Sequence, residues 1–197
     1  MRSAKPERIR CLIIDSEVEN LTQKKVTSHC HPSLATYVTS LYLAQSSHRM
    51  ILNLKELNKD IAYHHFKMET LQVALKLITP NCFLASVNLK NPYYSVPIAE
   101  HHRKFLRFLW RGQLWQYDCM PNGSALAPRK FTKLMKPVFA QLREEGHVST
   151  SFIDNSLLVS QSEKESILNV QATVQLFQSL GFIIHSEKSI LKPTQQI

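Results

Sequence analysis

Residues 147–160 read HVSTSFIDNSLLVS: two apolar, β-branched runs, His147–Ile153 and Ser156–Ser160, parted by the polar pair Asp154-Asn155. Two short runs around a two-residue polar break predict a β-hairpin. Upstream of it, residues 127–145 repeat Phe131, Leu134, Val138, Phe139 and Leu142 at helical spacing and close at Gly146, which predicts an amphipathic helix. Downstream, the capping-box pattern from Ser162 to Glu165 opens a second helix through Ile167, Leu168, Val174, Phe177 and Leu180, ended by Gly181. Residues 82–89 (CFLASVNL) form a buried-strand run, and Phe182–His185 a last short strand. Arg103–Trp110 and Gln113–Tyr117 flank Gly112 as a further hairpin. Strand, hairpin, helix, hairpin, helix, strand predicts an α+β fold of ferredoxin-like type, an antiparallel sheet with helices on one face.

The N-terminal part is less regular. Residues 1–33 are poorly patterned, with a short helix expected at Glu17–Val26, and Ser33–Leu43 reads as strand material. Arg49–Leu54 is another short strand, and His65–Ile78 carries helical apolar spacing that stops before Pro80. With 197 residues, 44% hydrophobic and 20% charged, the chain supports one core or two small subdomains sharing one. No run approaches the roughly 18–20 apolar residues of a membrane span, and no signal peptide is recognisable. Cys11, Cys30, Cys82 and Cys119 lie far apart with no C-x-x-C pair, so an intracellular protein, cytoplasmic or nuclear, is expected.

Charge narrows the partner class. Lys and Arg number 24 against 15 Asp and Glu, a net charge of +9, which points to a polyanion such as nucleic acid. Many soluble domains are basic without such a partner, and both readings stay open on charge alone. Three features carry candidate chemistry. The Phe152–Asn155 tip could present Asp154 to a divalent cation, or be an ordinary Asp-Asn turn. Val87–Tyr94 ends a strand in polar and aromatic residues. Met120–Pro128 leads into a helix bearing Arg129, Lys130, Lys133 and Lys136, which suits phosphates or a solvated face. The histidines lack the spacing of a zinc site.

Taken in order, the segments resemble a reverse transcriptase, most narrowly that of DIRS-type retrotransposons and more distantly gypsy-type elements. Residues 49–58 (RMILNLKELN) are similar to R-P-x-L-N-L-K-x-L-N, and 65–70 to H-F-K-M-E-T. Residues 87–98 (VNLKNPYYSVPI) resemble motif A, V-D-L-K-D-A-Y-F-x-I-P-I, and 102–108 match H-R-K-F-L-R-F. Residues 120–133 (MPNGSALAPRKFTK) resemble motif B, L-P-F-G-L-S-x-A-P-x-x-F-T-K; 152–155 (FIDN) sit at motif C, Y-x-D-D; and 180–184 with 187–189 resemble motif D. The resemblance runs from about residue 49 to the end.

It implies fingers at about 34–81 and a palm at about 82–197, with no thumb, because the chain ends where the primer-grip segment would follow. It implies DNA synthesis from dNTPs on an RNA or DNA template–primer, with two Mg²⁺ ions activating the primer hydroxyl and neutralising the triphosphate. On the same resemblance Asn88 holds the motif A ligand position, and Asp154 and Asn155 the two motif C positions. Arg49 matches the finger arginine on the triphosphate. Tyr93 matches the residue that screens the ribose 2′-hydroxyl, and Asn122 the residue lying against the nascent pair. Lys188 matches the motif D lysine near pyrophosphate. Three aspartates are the family pattern, and here Asn88 and Asn155 each remove a full charge. Losing one charge-stabilising group typically costs about 10²–10³ in rate, so strongly impaired or absent polymerase activity is expected. A non-catalytic nucleic-acid-binding module is the alternative.

Overall fold

Helix α1 (Ala4–Gln23) opens the computed structural model, which describes residues 4–32, 37–43, 50–62 and 64–196. It is followed by β1 (Thr27–His29), β2 (Val38–Thr39), β3 (Leu41–Leu43), β4 (Met50–Leu52) and α2 (Lys55–Asp60). Next come α3 (Leu71–Leu77), β5 (Phe83–Asn88), α4 (Glu100–Arg103), β6 (Arg107–Trp110) and β7 (Gln113–Tyr117). The chain closes with α5 (Ala127–Glu144), β8 (Val148–Phe152), β9 (Asn155–Ser160), α6 (Glu163–Ser179) and β10 (Ile190–Thr194). These elements make two compact units, residues 1–63 with 96–127 and residues 64–95 with 128–197. The sequence predicts fingers at about 34–81 and a palm at about 82–197; each compact unit is discontinuous along the chain, since β7 pairs with β1 and residues 96–127 belong with the first.

In the first unit the strand order is β1-β7-β6-β2, and β3 pairs with β4. The β6–β7 turn places Arg111 at φ 51° and Gly112 at φ 74°, the two left-handed residues of a type I′ hairpin. Helix α1 begins at Ala4 rather than near Glu17. It buries Ile14, Val18 and Leu21 but leaves Ile9 and Leu12 in solvent, so its apolar residues do not form one stripe. Asp15 pins it to the hairpin, accepting from Trp110 Nε1 at 2.8 Å and Arg111 Nη2 at 2.7 Å. Asn58 of α2 clamps the 121–125 loop: its Nδ2 donates to the Gly123 carbonyl and its Oδ1 accepts from Ala125 N, both at 2.9 Å.

In the second unit the order β10-β5-β9-β8, all antiparallel, and the succession β5-α5-β8-β9-α6-β10 are the ferredoxin-like βαββαβ arrangement. Strand alternation turns Ala85, Val87, Ser156 and Leu158 toward the helices, and all are almost fully buried. The opposite face carries Leu84, Ser86 and Asn88 beside Val159, Leu157 and Asn155. At one end of that face, Leu77 of α3 packs on Leu84 and Val159. The other end is the candidate site.

Several elements differ from their sequence pattern, each for a packing reason. Met135, not Leu134, joins Phe131, Val138, Phe139 and Leu142 in the buried stripe of α5. On α6 the buried face is largely polar, with Ser166, Asn169 and Thr173 beside Val170 and Phe177, while Ile167, Leu168 and Leu180 are exposed. Asn169 donates to the Val148 carbonyl at 3.0 Å and accepts from Thr173 at 3.2 Å, which satisfies two of the three, while the Ser166 hydroxyl is buried without a hydrogen-bond partner among the described residues. The helix expected over His65–Ile78 is confined to Leu71–Leu77, because Glu69 is engaged with β8. Phe182–His185 contributes only an isolated bridge between Ile184 and Leu89. The fourth strand is instead β10, an edge position where Pro193 is tolerated.

Candidate active site

The β8–β9 turn is Ile153-Asp154, one residue earlier than the polar pair suggests. Phe152 pairs with Asn155, so Asn155 is the first residue of β9. Ile153 stands at φ 56°, a left-handed conformation that a β-branched side chain rarely adopts. A positive φ at the first central position alone is the pattern of type II′ hairpins. It lifts Asp154, half-buried, to the tip of the hairpin.

Asn88, the last residue of β5, lies directly across from Asn155 in register. Asn88 is buried, 6% exposed, and its Nδ2 donates to Asn155 Oδ1. The backbone around it is held from three sides. Asn88 N donates to Ser189 Oγ at 2.9 Å, the Asn88 carbonyl accepts from His185 N at 2.8 Å, and Leu89 N donates to the Asp154 carbonyl at 2.8 Å. Ser189 Oγ also donates to the His185 carbonyl at 2.8 Å, so one hydroxyl ties the 185–189 turn to the end of β5. Lys188 sits exposed in that turn, its N–H donating to the His185 carbonyl at 3.1 Å.

Asn91 takes φ 51° ahead of buried Pro92, which opens a 3-10 turn over Pro92–Ser95. Proline disfavours a right-handed helical conformation in the residue before it, and asparagine tolerates the left-handed one. The turn sets Tyr93 edge-on against Phe131, ring centroids 5.9 Å apart at 79°. Burial pushes the Tyr93 hydroxyl above its ordinary pKa, and the Asp154 carboxylate adds to the rise.

The second unit thus contains Asn88, Asp154, Asn155, Tyr93 and Lys188. Asn88 and Asn155 touch, and Asp154 reaches Tyr93 through its field. Asn122 belongs to the loop that Asn58 clamps in the first unit, and Arg49 lies outside the described residues. Sequence reasoning assigned no role to Glu69 or Ser189, although both fall inside segments that carry the resemblance. Glu69 Oε2 accepts from Ser151 N at 2.8 Å and from Thr150 Oγ1, fixing β8 just before the turn. A cleft of about 510 Å³, lined by Glu69, Leu71, Ser86, Thr150, Phe152 and Asn155, opens on the same face.

Comparison with known proteins identifies the family and the fold. Residues 9–196 match the model of the family described as reverse transcriptase (RNA-dependent DNA polymerase), and the chain belongs to that family. The Transposon Tf2-7 polyprotein of Schizosaccharomyces pombe is 25% identical over 140 residues, covering 71% of this chain and 10% of the polyprotein. The chain therefore spans about a tenth of the length of such relatives. Among solved structures, a foamy viral protease–reverse transcriptase in complex with dsDNA superposes with TM-score 0.77 at 17% identity, over 98% of this chain and 38% of its own. Native prototype foamy virus protease–reverse transcriptase gives 0.74 at 20% identity, over 96% and 24%. At these identities the likeness is one of fold, and the fold is that of reverse transcriptase fingers and palm.

The family implies a divalent metal. The residues at the strand end do not fit a pair of hard cations. Of the three positions, only Asp154 offers a carboxylate, and the Asn155 amide oxygen is occupied by Asn88. Among the described residues no cluster of three or more His, Cys, Asp or Glu is disposed to hold a metal. Among them also, no helix is long and apolar enough to cross a membrane.

Proposed function

We propose that this chain is the fingers and palm of a retroelement reverse transcriptase that holds a template–primer but transfers nucleotides poorly or not at all. The second unit serves as palm and the first as fingers. The ordered resemblance of the segments from about residue 49 onward supports a DIRS-type element as its source, with gypsy-type elements more distant. The observation that carries the reading is the convergence of Asn88, Asp154 and Asn155 at one end of the ferredoxin-like sheet. Tyr93 is assigned to the sugar of an incoming dNTP, Lys188 to its pyrophosphate, Asn122 to the nascent pair and Arg49 to the triphosphate. Nucleic acid as partner is supported by the net charge of +9 and by the dsDNA held by the foamy viral relative.

The chemistry is limited by charge. In-line phosphoryl transfer is catalysed almost wholly by positioning and by countercharge. Two amides for two carboxylates remove most of the anionic pull that would hold Mg²⁺, and a single such loss costs about 10²–10³ in rate. Primer extension with Mg²⁺ or Mn²⁺ is expected to yield no processive product, while a primed template binds in low salt. Efficient extension would overturn the catalytic part, and absence of low-salt binding would overturn the nucleic-acid part.

A further inference from the structure

We infer, resting on that reading of the strand end as a former metal site, that the Asn88–Asn155 amide pair is a metal-free clasp which lets this palm fold and hold its hairpin without a divalent ion. The register sets the two side chains directly opposite on one face. Cross-strand neighbours of this kind have Cβ atoms about 4.5–5.5 Å apart, where like charges oppose pairing. Two carboxylates in those positions need a cation between them or a shared proton. Two carboxamides need neither, because each carries a donor and an acceptor. Here one donor is used: Asn88 Nδ2 reaches Asn155 Oδ1.

The surroundings leave Asn88 little alternative. Its backbone is bonded on both sides by the 185–189 turn, and the next amide is bonded to the Asp154 carbonyl. The residue is 6% exposed, so its side chain takes a protein partner rather than water. Asn155 is exposed and can reorient its carboxamide without cost to the core. This asymmetry makes a specific expectation. After Asn88→Asp alone, Asn155 can turn its Nδ2 toward the new carboxylate and keep one bond. After Asn155→Asp alone, Asn88 Nδ2 still has an acceptor. After both, two acceptors face each other with no donor.

Melting of the full chain, in EDTA and in Mg²⁺ or Mn²⁺, tests this without nucleic acid, so its outcome is separate from that of the binding and extension assays. The wild-type melting temperature is expected to be the same in all three buffers. Each single variant should stay close to wild type in EDTA. The double variant should melt about 5 °C lower or more in EDTA and recover in Mg²⁺ or Mn²⁺, a non-additive cycle. A wild-type midpoint that rises with Mg²⁺, or a double variant as stable as wild type in EDTA, would overturn the clasp. If the double variant does not fold in any buffer, Asn155→Ala decides. Losing the clasp should lower hydrogen-exchange protection of the Leu89 amide by about tenfold in EDTA, and unchanged protection overturns it.

Discussion

Ile153 shows what a single residue costs at the tip of this hairpin. A left-handed non-glycine residue is disfavoured by about 1–2 kcal/mol, against roughly 0.5–1 kcal/mol for the extra unfolded-state freedom of glycine. Ile153→Gly is therefore expected to raise stability by about 0.5–1 kcal/mol in urea unfolding, whereas Ile153→Ala, which keeps the Cβ, should give no gain. Tyr93 offers a second test. Burial first and Asp154 second raise its pKa above the ordinary 10.0, so the native state keeps a proton that the unfolded chain releases. The resulting stability is complete below pH 10.0 and is lost as pH rises through the native value, with a limiting slope of about 1.4 kcal/mol per pH unit. Asp154→Asn should shift the Tyr93 ultraviolet titration to lower pH by only part of the elevation, because desolvation remains. Asp154 was legible in the sequence as the acid at a hairpin tip, and Asn88 as the polar end of a buried strand. Their exact pairing was not, since strand register depends on a partner some 67 residues away in the chain, and apolar patterning put Ile153 inside a strand.

Elements were legible where one apolar stripe meets one partner, as in α5, and blurred where polar groups are buried. Helix α6 has a clear capping box from Ser162 to Glu165. Its inward face nevertheless uses Asn169 and Thr173, which no hydrophobic period reveals, while Ile167 and Leu168 look outward. Strand β10 is not legible in the sequence because Lys192 and Pro193 interrupt its apolar run, and its pairing begins with Ile190 N donating to Ser86 Oγ at 3.2 Å. The apolar period runs past the start of α3, because Met68 and Leu71 keep it while Glu69 is committed to β8. That commitment is measurable. Glu69→Ala removes the acceptor of Ser151 N and Thr150 Oγ1, and is expected to cost about 2 kcal/mol in urea unfolding.

On the scale of the whole molecule, the order of strands and helices in the second unit was legible as a ferredoxin-like succession. The interleaving of the two units was not, because nothing local in residues 96–127 says that they rejoin β1. The charge balance also acts at this scale. Lys130, Lys133 and Lys136 are exposed along α5, with no ion-pair partner among the described residues. If they meet phosphates, changing all three to Gln should flatten the dependence of log K on log salt by about 2–3, near one unit per lysine. An unchanged slope would remove α5 from the binding surface. Glu69 has one more effect at this scale. Strand β8 is the rim of its sheet, and its outward amide at Ser151 is covered by that carboxylate. An uncovered rim is a template for pairing with a neighbouring molecule. The same side chain that steadies the hairpin also keeps concentrated chains from zipping together, and its loss should appear as turbidity on storage.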